Sequence, residues 1–200
     1  MYRHCIKRLL DILFSALLLL IMTPLFLFII VLIHLDSKGS AFFSQKRFGK
    51  DRSYFQIYKF RTMRTDTPHD VPTNDLSGAS SYITRVGGVL RKTSLDELPQ
   101  LWNILKGDMS FIGPRPALWN QTDLMAYRDE YGASMIRPGL SGWAQVNGRD
   151  ALGRDVQKKA QLDGEYAKNV SFGFDLMCLV KTVVNVFRQE DVAEGVEGSK

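Results

Sequence analysis

The sequence predicts a helix-rich α+β fold with one small β-hairpin and an apolar membrane segment at its start. Three observations predict it. Positions 12–35 carry no Asp, Glu, Lys or Arg. Positions 41–63 set two aromatic-rich runs around a Gly-Lys-Asp-Arg turn. Most of the chain beyond residue 81 has helical spacing, interrupted by Gly- and Pro-rich loops. With 200 residues, 45% of them apolar, the chain has room for one cored domain and an appendage, which excludes general disorder. It divides into a membrane segment over 1–36, a domain over 37–190 and a tail over 191–200 expected to be disordered. The net charge of +5 suits an anionic partner without choosing among nucleotide, nucleic acid and acidic membrane. Two cysteines suggest no disulfide framework, and three scattered histidines have no zinc-ligand spacing.

The apolar run exceeds the roughly 20 residues a bilayer requires and is too long for a signal peptide. Pro24 lies in its middle, where the missing N–H and the ring bend or break a helix. The Thr23 hydroxyl is placed to bond a freed carbonyl. Both flanks are basic, with Arg3, Lys7 and Arg8 before the run and Lys38, Lys46, Arg47, Lys50 and Arg52 after it. Positive flanks favour the cytoplasm. A spanning helix puts one flank outside, whereas a helix that returns at Thr23-Pro24 keeps both inside at the expense of exposed backbone. Residue physics leaves both topologies open.

In the hairpin's second strand Lys59 and Arg61 alternate onto one face, as two solvated cations or as a pair aimed at phosphate. Positions 64–81 lack periodicity and read as a long loop. Positions 82–92 read as a helix weakened by Gly87 and Gly88, and 99–106 as an amphipathic helix stopped by Gly107. Its apolar members are Leu101, Trp102, Ile104 and Leu105. "TDLMAYRDEYGASM" reads as helix, "RPGLSGWAQVNGRDALGRD" as loop and strand, and "LDGEYAKNVSFGFDLMCLVKTVVNVFRQ" as helix. In the last, Phe172, Leu176, Leu179, Val180, Val183 and Phe187 form one stripe, widened by Met177 and Val184. Such a stripe is ordinary core or a face in the membrane interface.

The chemistry concentrates in "SLDELPQLWNILKGDMSFIGPRP", residues 94–116. Ser94 and Glu97 have capping-box spacing, which would make Asp96 and Glu97 plain first-turn acids. Pro99 argues otherwise, because it fits best at the first helical position. The acids then sit on the turn before the helix, where its positive end would hold their pKa down. An ionised carboxylate there can hold Mg²⁺ or attack phosphorus. Attack on phosphate needs cations to screen it. Arg115, stiffened between Pro114 and Pro116, suits that need, and Lys59, Arg91, Arg137 and Arg149 are further candidates. No P-loop or dinucleotide fingerprint is present. These residues describe a Mg²⁺-dependent phosphoryl-transfer site at a membrane face.

"YKFRTM", "SLDELPQLWNILKGDMSFIGPRP", "RPGLSGWAQVNGR" and "YAKNVSFGFDL" occur in the order found in the monotopic phosphoglycosyl transferases of the bacterial sugar transferase superfamily. The chain resembles the small PglC-type members over almost its whole length. The resemblance implies transfer of a sugar phosphate from a UDP-sugar to a polyprenol phosphate, with release of UMP. It makes Asp96 the nucleophile and a Mg²⁺ ligand, and Glu97 its support. It assigns Pro114, Arg115, Pro116 and Lys59 to phosphate binding. The membrane element it implies is a re-entrant helix broken at Ser-Pro, here Thr23-Pro24, a departure that keeps a hydroxyl. Interfacial helices would dock the domain on the cytoplasmic face of the inner membrane. Expected partners are UDP-sugar, polyprenol phosphate and membrane lipids. Nucleic acid is not among them, for want of a basic-aromatic module, and a homodimer is left open. Rival readings are a non-catalytic nucleotide-binding regulator and a hydrolase that releases the sugar phosphate to water.

Overall fold

The computed structural model describes residues 2–68, 78–148 and 155–188. A π-helical turn, Tyr2–Ile6, leads into α1, Lys7–Asp36. α1 is the one helix among the described residues long and apolar enough to cross a membrane. It continues through Pro24, so the expected break is not an end of the helix. The Thr23 hydroxyl donates to the Leu19 carbonyl at 2.8 Å. Pro24 leaves the Leu20 carbonyl without its usual donor. The hydroxyl therefore serves the neighbouring carbonyl and not the freed one.

β1, Phe42–Phe48, and β2, Tyr54–Phe60, form the expected antiparallel hairpin, with Phe43 opposite Lys59 and Gln45 opposite Ile57. Its tip is a tight turn in which Asp51 and Arg52 both have positive φ. The helix expected over 82–92 is divided: α2 is Ala79–Tyr82, Ile83 bridges to Met63, and α3 is Arg85–Lys92, capped by the Thr84 hydroxyl. Gly87 is required by close approach, since a Cβ there would lie 2.0 Å from the Thr62 carbonyl oxygen.

α4, Gln100–Lys106, ends as expected at Gly107 in the left-handed region. Its inward face is not the expected one. Trp102 is half exposed, while Asn103 is fully buried. The Asn103 amide accepts from Tyr58 N and donates to Gln56 O, so α4 docks on the free edge of β2 by backbone-like hydrogen bonds.

β3 (Ser110–Ile112), which no local pattern announced, pairs in parallel with β4 (Gly139–Ser141), which lies in the stretch expected as loop and strand. A Cβ on Gly139 would lie 2.1 Å from Gly113 N, so only glycine admits this contact. Between the strands runs α5, Thr122–Glu130. α6, Trp143–Val146, is a helical turn where loop and strand were expected. The last helical stretch is two helices, α7 (Val156–Lys168) and α8 (Phe172–Arg188). Arg128 and Asp163 form a buried ion pair between α5 and α7. The expected disordered tail lies outside the described residues.

α1 lies along this domain. Near its start, Arg8 donates to the Ile104 and Leu105 carbonyls at the end of α4, and Asp11 accepts from Ser110 Oγ and Phe111 N. Near its end, Ile29 and Ile33 pack with Phe60 and Leu90, and Asp36 accepts from Val86 N. Most of its remaining surface is apolar and exposed, including Leu13, Phe14, Leu17, Leu20, Phe28 and Leu35. The α8 stripe is likewise no core: Phe172, Leu176, Leu179, Val180 and Val183 are about half exposed, while Cys178 on the opposite face is buried with Ile112 and Tyr166.

Candidate active site

Ser94 takes a left-handed conformation (φ 55°) and makes no side-chain cap, so there is no capping box. Leu95–Glu97 form a separate 3₁₀ turn, and Pro99 occupies the cap position of α4, one residue earlier than expected. Leu95 and Leu98 pack into the core beneath α1. The two acids between them are thereby turned toward β2.

There Lys59 Nζ lies 2.7 Å from Glu97 Oε1 and 3.9 Å from Asp96 Oδ2. Arg115 Nη2 lies 3.1 Å from the same Glu97 oxygen. Glu97 thus ties two cations, while among the described residues Asp96 takes the longer contact with Lys59. The side chains of Lys59, Asp96 and Glu97 are each less than one-fifth exposed. In this setting the expected downward pKa shift is reversed. Burial pushes the Asp96 carboxyl up, Lys59 pulls it down, Glu97 pushes it up, and Arg91 and Arg115 pull it down.

Arg115 is held from both sides. The Pro114 carbonyl accepts from Gly139 N, and the Pro116 and Ala117 carbonyls accept from Arg47 Nη1 and Phe48 N. Below this loop, Tyr166 Oη lies 3.2 Å from the Ile112 carbonyl and donates to Asp175, which also receives Tyr2 and Lys7.

The structure therefore gathers Lys59, Arg91, Asp96, Glu97 and Arg115. It does not bring Arg137 to them. That side chain donates to the Gly107 carbonyl at the far end of α4, beside Arg8. Arg149 lies outside the described residues. Arg61 departs from Lys59 and bonds the Ser37 and Lys38 carbonyls behind α1. Arg47 and Asn103, which position Arg115 and α4, were missed. Their available signals were a polar residue inside an apolar helix face and a strand cation alternating with Gln45.

A family profile described as bacterial sugar transferase matches residues 2–189. The chain belongs to this family. That makes it an enzyme, a phosphoglycosyl transferase. It is 39% identical over 196 residues to the uncharacterized sugar transferase EpsL of Bacillus subtilis (strain 168), covering 96% of this chain and 90% of that one. It is 42% identical over 183 residues to the UDP-N-acetylgalactosamine-undecaprenyl-phosphate N-acetylgalactosaminephosphotransferase of Aeromonas hydrophila, covering 89% of this chain and 43% of that protein. It is 36% identical over 190 residues to the UDP-glucose:undecaprenyl-phosphate glucose-1-phosphate transferase of Escherichia coli (strain K12), at 91% and 40%. The chain thus spans less than half the length of the latter two relatives.

Proposed function

We propose that this enzyme moves a sugar phosphate from a UDP-sugar to a polyprenol phosphate such as undecaprenyl phosphate, releasing UMP, in the first membrane step of glycoconjugate assembly. The observation that carries the reading is a buried carboxylate, Asp96, whose neighbour Glu97 ties Lys59 and Arg115 beside it. The names of two relatives supply the substrate classes, and they differ in the sugar.

Asp96 Oδ attacks the phosphorus that bears the sugar. The bond from that phosphorus to the bridging oxygen breaks, and UMP leaves with the electron pair. Arg115 and Lys59 hold the phosphate oxygens and offset their charge as the anionic carboxylate approaches. A polyprenol phosphate oxygen then attacks the same phosphorus. The acyl phosphate opens, the Asp96 carboxylate is restored, and the product is a polyprenyl diphosphate sugar. Glu97 keeps the two cations in register through both halves.

The acidic pair suits Mg²⁺ as an ion shared with substrate. Among the described residues no group of three or more His, Cys, Asp or Glu could hold a metal by itself. Mg²⁺ commonly binds through one or two carboxylates and substrate phosphates. Asp96, with Glu97, would hold it, and when bound it would screen phosphate charge.

The contacts of α1 support a re-entrant, monotopic placement on the cytoplasmic face. A helix of 30 residues is about 45 Å long. Crossing a hydrocarbon core about 30 Å thick would part its two ends. Here Arg8 and Asp36 are bonded to the same domain, with basic residues at both flanks. The apolar faces of α1 and α8 then lie in lipid. Labelling both termini in intact cells with a membrane-impermeant reagent tests this; reaction at one terminus alone would sink it.

The catalytic test is a burst. Enzyme mixed with Mg²⁺ and the correct UDP-sugar, without acceptor, should release UMP stoichiometric with enzyme and gain a sugar phosphate at Asp96. Polyprenol phosphate should discharge it into lipid, and Asp96→Asn should abolish both halves. UMP release only in the presence of acceptor, with no mass gain, would refute the covalent route. Sugar phosphate in the buffer would point to hydrolysis.

A further inference from the structure

At the opposite end of α3 from Asp96 the fold forms a cavity of about 810 Å³. Its charged lining is Asp36, Lys38, Arg61, Arg64, Asp66 and Arg85, and Leu35 lines it too. Four cations there face two acids. Both acids are engaged: Asp36 accepts from Val86 N, and Asp66 pairs with Arg64. Arg61 is only 7% exposed, and its guanidinium meets carbonyls alone, those of Ser37 and Lys38. Among the described residues Lys38, Arg61 and Arg85 have no ion-pair partner. A buried arginine bonded to carbonyls through its two Nη atoms, with Nε left unpartnered, keeps its whole charge, because a carbonyl accepts a bond without cancelling the cation. Among the described residues the cavity lining therefore carries a surplus of two positive charges.

Its other edge is apolar. Leu35, at 79% exposure, is the most exposed large apolar side chain of α1, and the exposed Val31 and Phe28 precede it by one and two turns. A cationic chamber that opens onto an apolar ridge matches an amphiphile with a phosphate head. The size agrees, since it falls within the range of ligand pockets and exceeds the needs of a bare phosphate ion.

We propose that this cavity is a second phosphate-binding site, separate from the Asp96 cluster, that takes the phosphate head of an anionic membrane lipid. Arg61 forms its charged floor, Lys38 and Arg85 close on the phosphate oxygens, and the acyl chains leave along Leu35 toward Phe28. The site fixes the end of α1 and the start of α3 relative to the bilayer surface. It rests on the membrane placement proposed above.

The test uses the full chain in detergent micelles, titrated with dioctanoyl phosphatidic acid and followed by native mass spectrometry. Inorganic phosphate is the competing arm. The variant is Lys38→Gln/Arg85→Gln, which alters only exposed side chains. The parent should retain the lipid, the double variant should bind it at least tenfold more weakly, and inorganic phosphate at equal concentration should not displace it. Equal binding by parent and variant would overturn the proposal. So would displacement by inorganic phosphate, which would make this a site for free anion. Membrane fractionation keeps the two readings apart. A parent chain found in the soluble fraction overturns the placement, whereas one in the membrane fraction that fails the lipid titration overturns this site alone.

Discussion

Glu97→Gln isolates the part played by the second acid. The Glu97 Oε1 atom receives Lys59 at 2.7 Å and Arg115 at 3.1 Å. Glutamine keeps the volume and removes the charge. A hydrogen bond to a charged group contributes about 1.5–3 kcal/mol and a neutral one about 0.5–1.5. Two such bonds weakened together cost about 2–3 kcal/mol, or roughly 30- to 150-fold in kcat/KM. The pH profile should move as well. The Asp96 carboxyl is raised first by burial, is lowered by Lys59, and is raised again by Glu97. Removing the Glu97 charge removes one upward push, so Asp96 ionises at lower pH. The acidic limb of kcat/KM should therefore shift to lower pH even as the plateau falls. Initial rates of UMP release across a pH series, with acceptor saturating, measure both effects. Activity within twofold of the parent and an unmoved acidic limb would mean that Glu97 neither holds the cations nor acts on Asp96.

Asp96→Asn should abolish activity yet raise Tm near neutral pH. Its folded-state pKa lies above the unfolded value, so the folded state carries an unfavourable charge at neutral pH that is absent below the ordinary carboxylate range. The Tm gap over the parent should narrow as pH falls toward about 4. A gap that widens instead would contradict the sign. Arg8→Met removes donors to the Ile104 and Leu105 carbonyls and should lower stability by about 2–3 kcal/mol, read as a drop in Tm. Gly87→Ala places a methyl 2.0 Å from the Thr62 carbonyl oxygen and should cost about 3 kcal/mol or more. Gly88→Ala, whose nearest neighbour would be Ile83 at 3.9 Å, should be neutral or stabilise by up to about 1 kcal/mol. Similar melting temperatures for these two alanine variants would refute the packing argument.

Much of the candidate site was legible because its signals are local. An Asp-Glu pair before a proline-started helix and an arginine between prolines are restricted by their own backbones, whatever surrounds them. The hairpin was legible for the same reason, through alternation around a turn. Arg137 stood among the candidate phosphate cations, and no local rule shows that its side chain bonds the Gly107 carbonyl at the end of α4. The capping box, against which Pro99 already argued, is absent: Ser94 is left-handed and its side chain makes no cap.

Residue order alone establishes which segments are apolar enough for lipid, a helix stop such as that at Gly107, and which residue types supply acid and cation. Hydropathy, proline and glycine act over a few residues, so these properties survive reading one stretch at a time. The direction of the Asp96 pKa shift needed the packed chain, because burial there depends on Leu95 and Leu98 packing beneath α1. So did the pairing of β3 with β4 across 26 intervening residues, a contact permitted by glycine backbones and not announced by any side chain. The meeting of both ends of α1 with one domain is of the same kind. Hydropathy measures how well each residue suits lipid, but Arg8 on the α4 carbonyls and Asp36 on Val86 N are long-range bonds, and these place the helix against the fold.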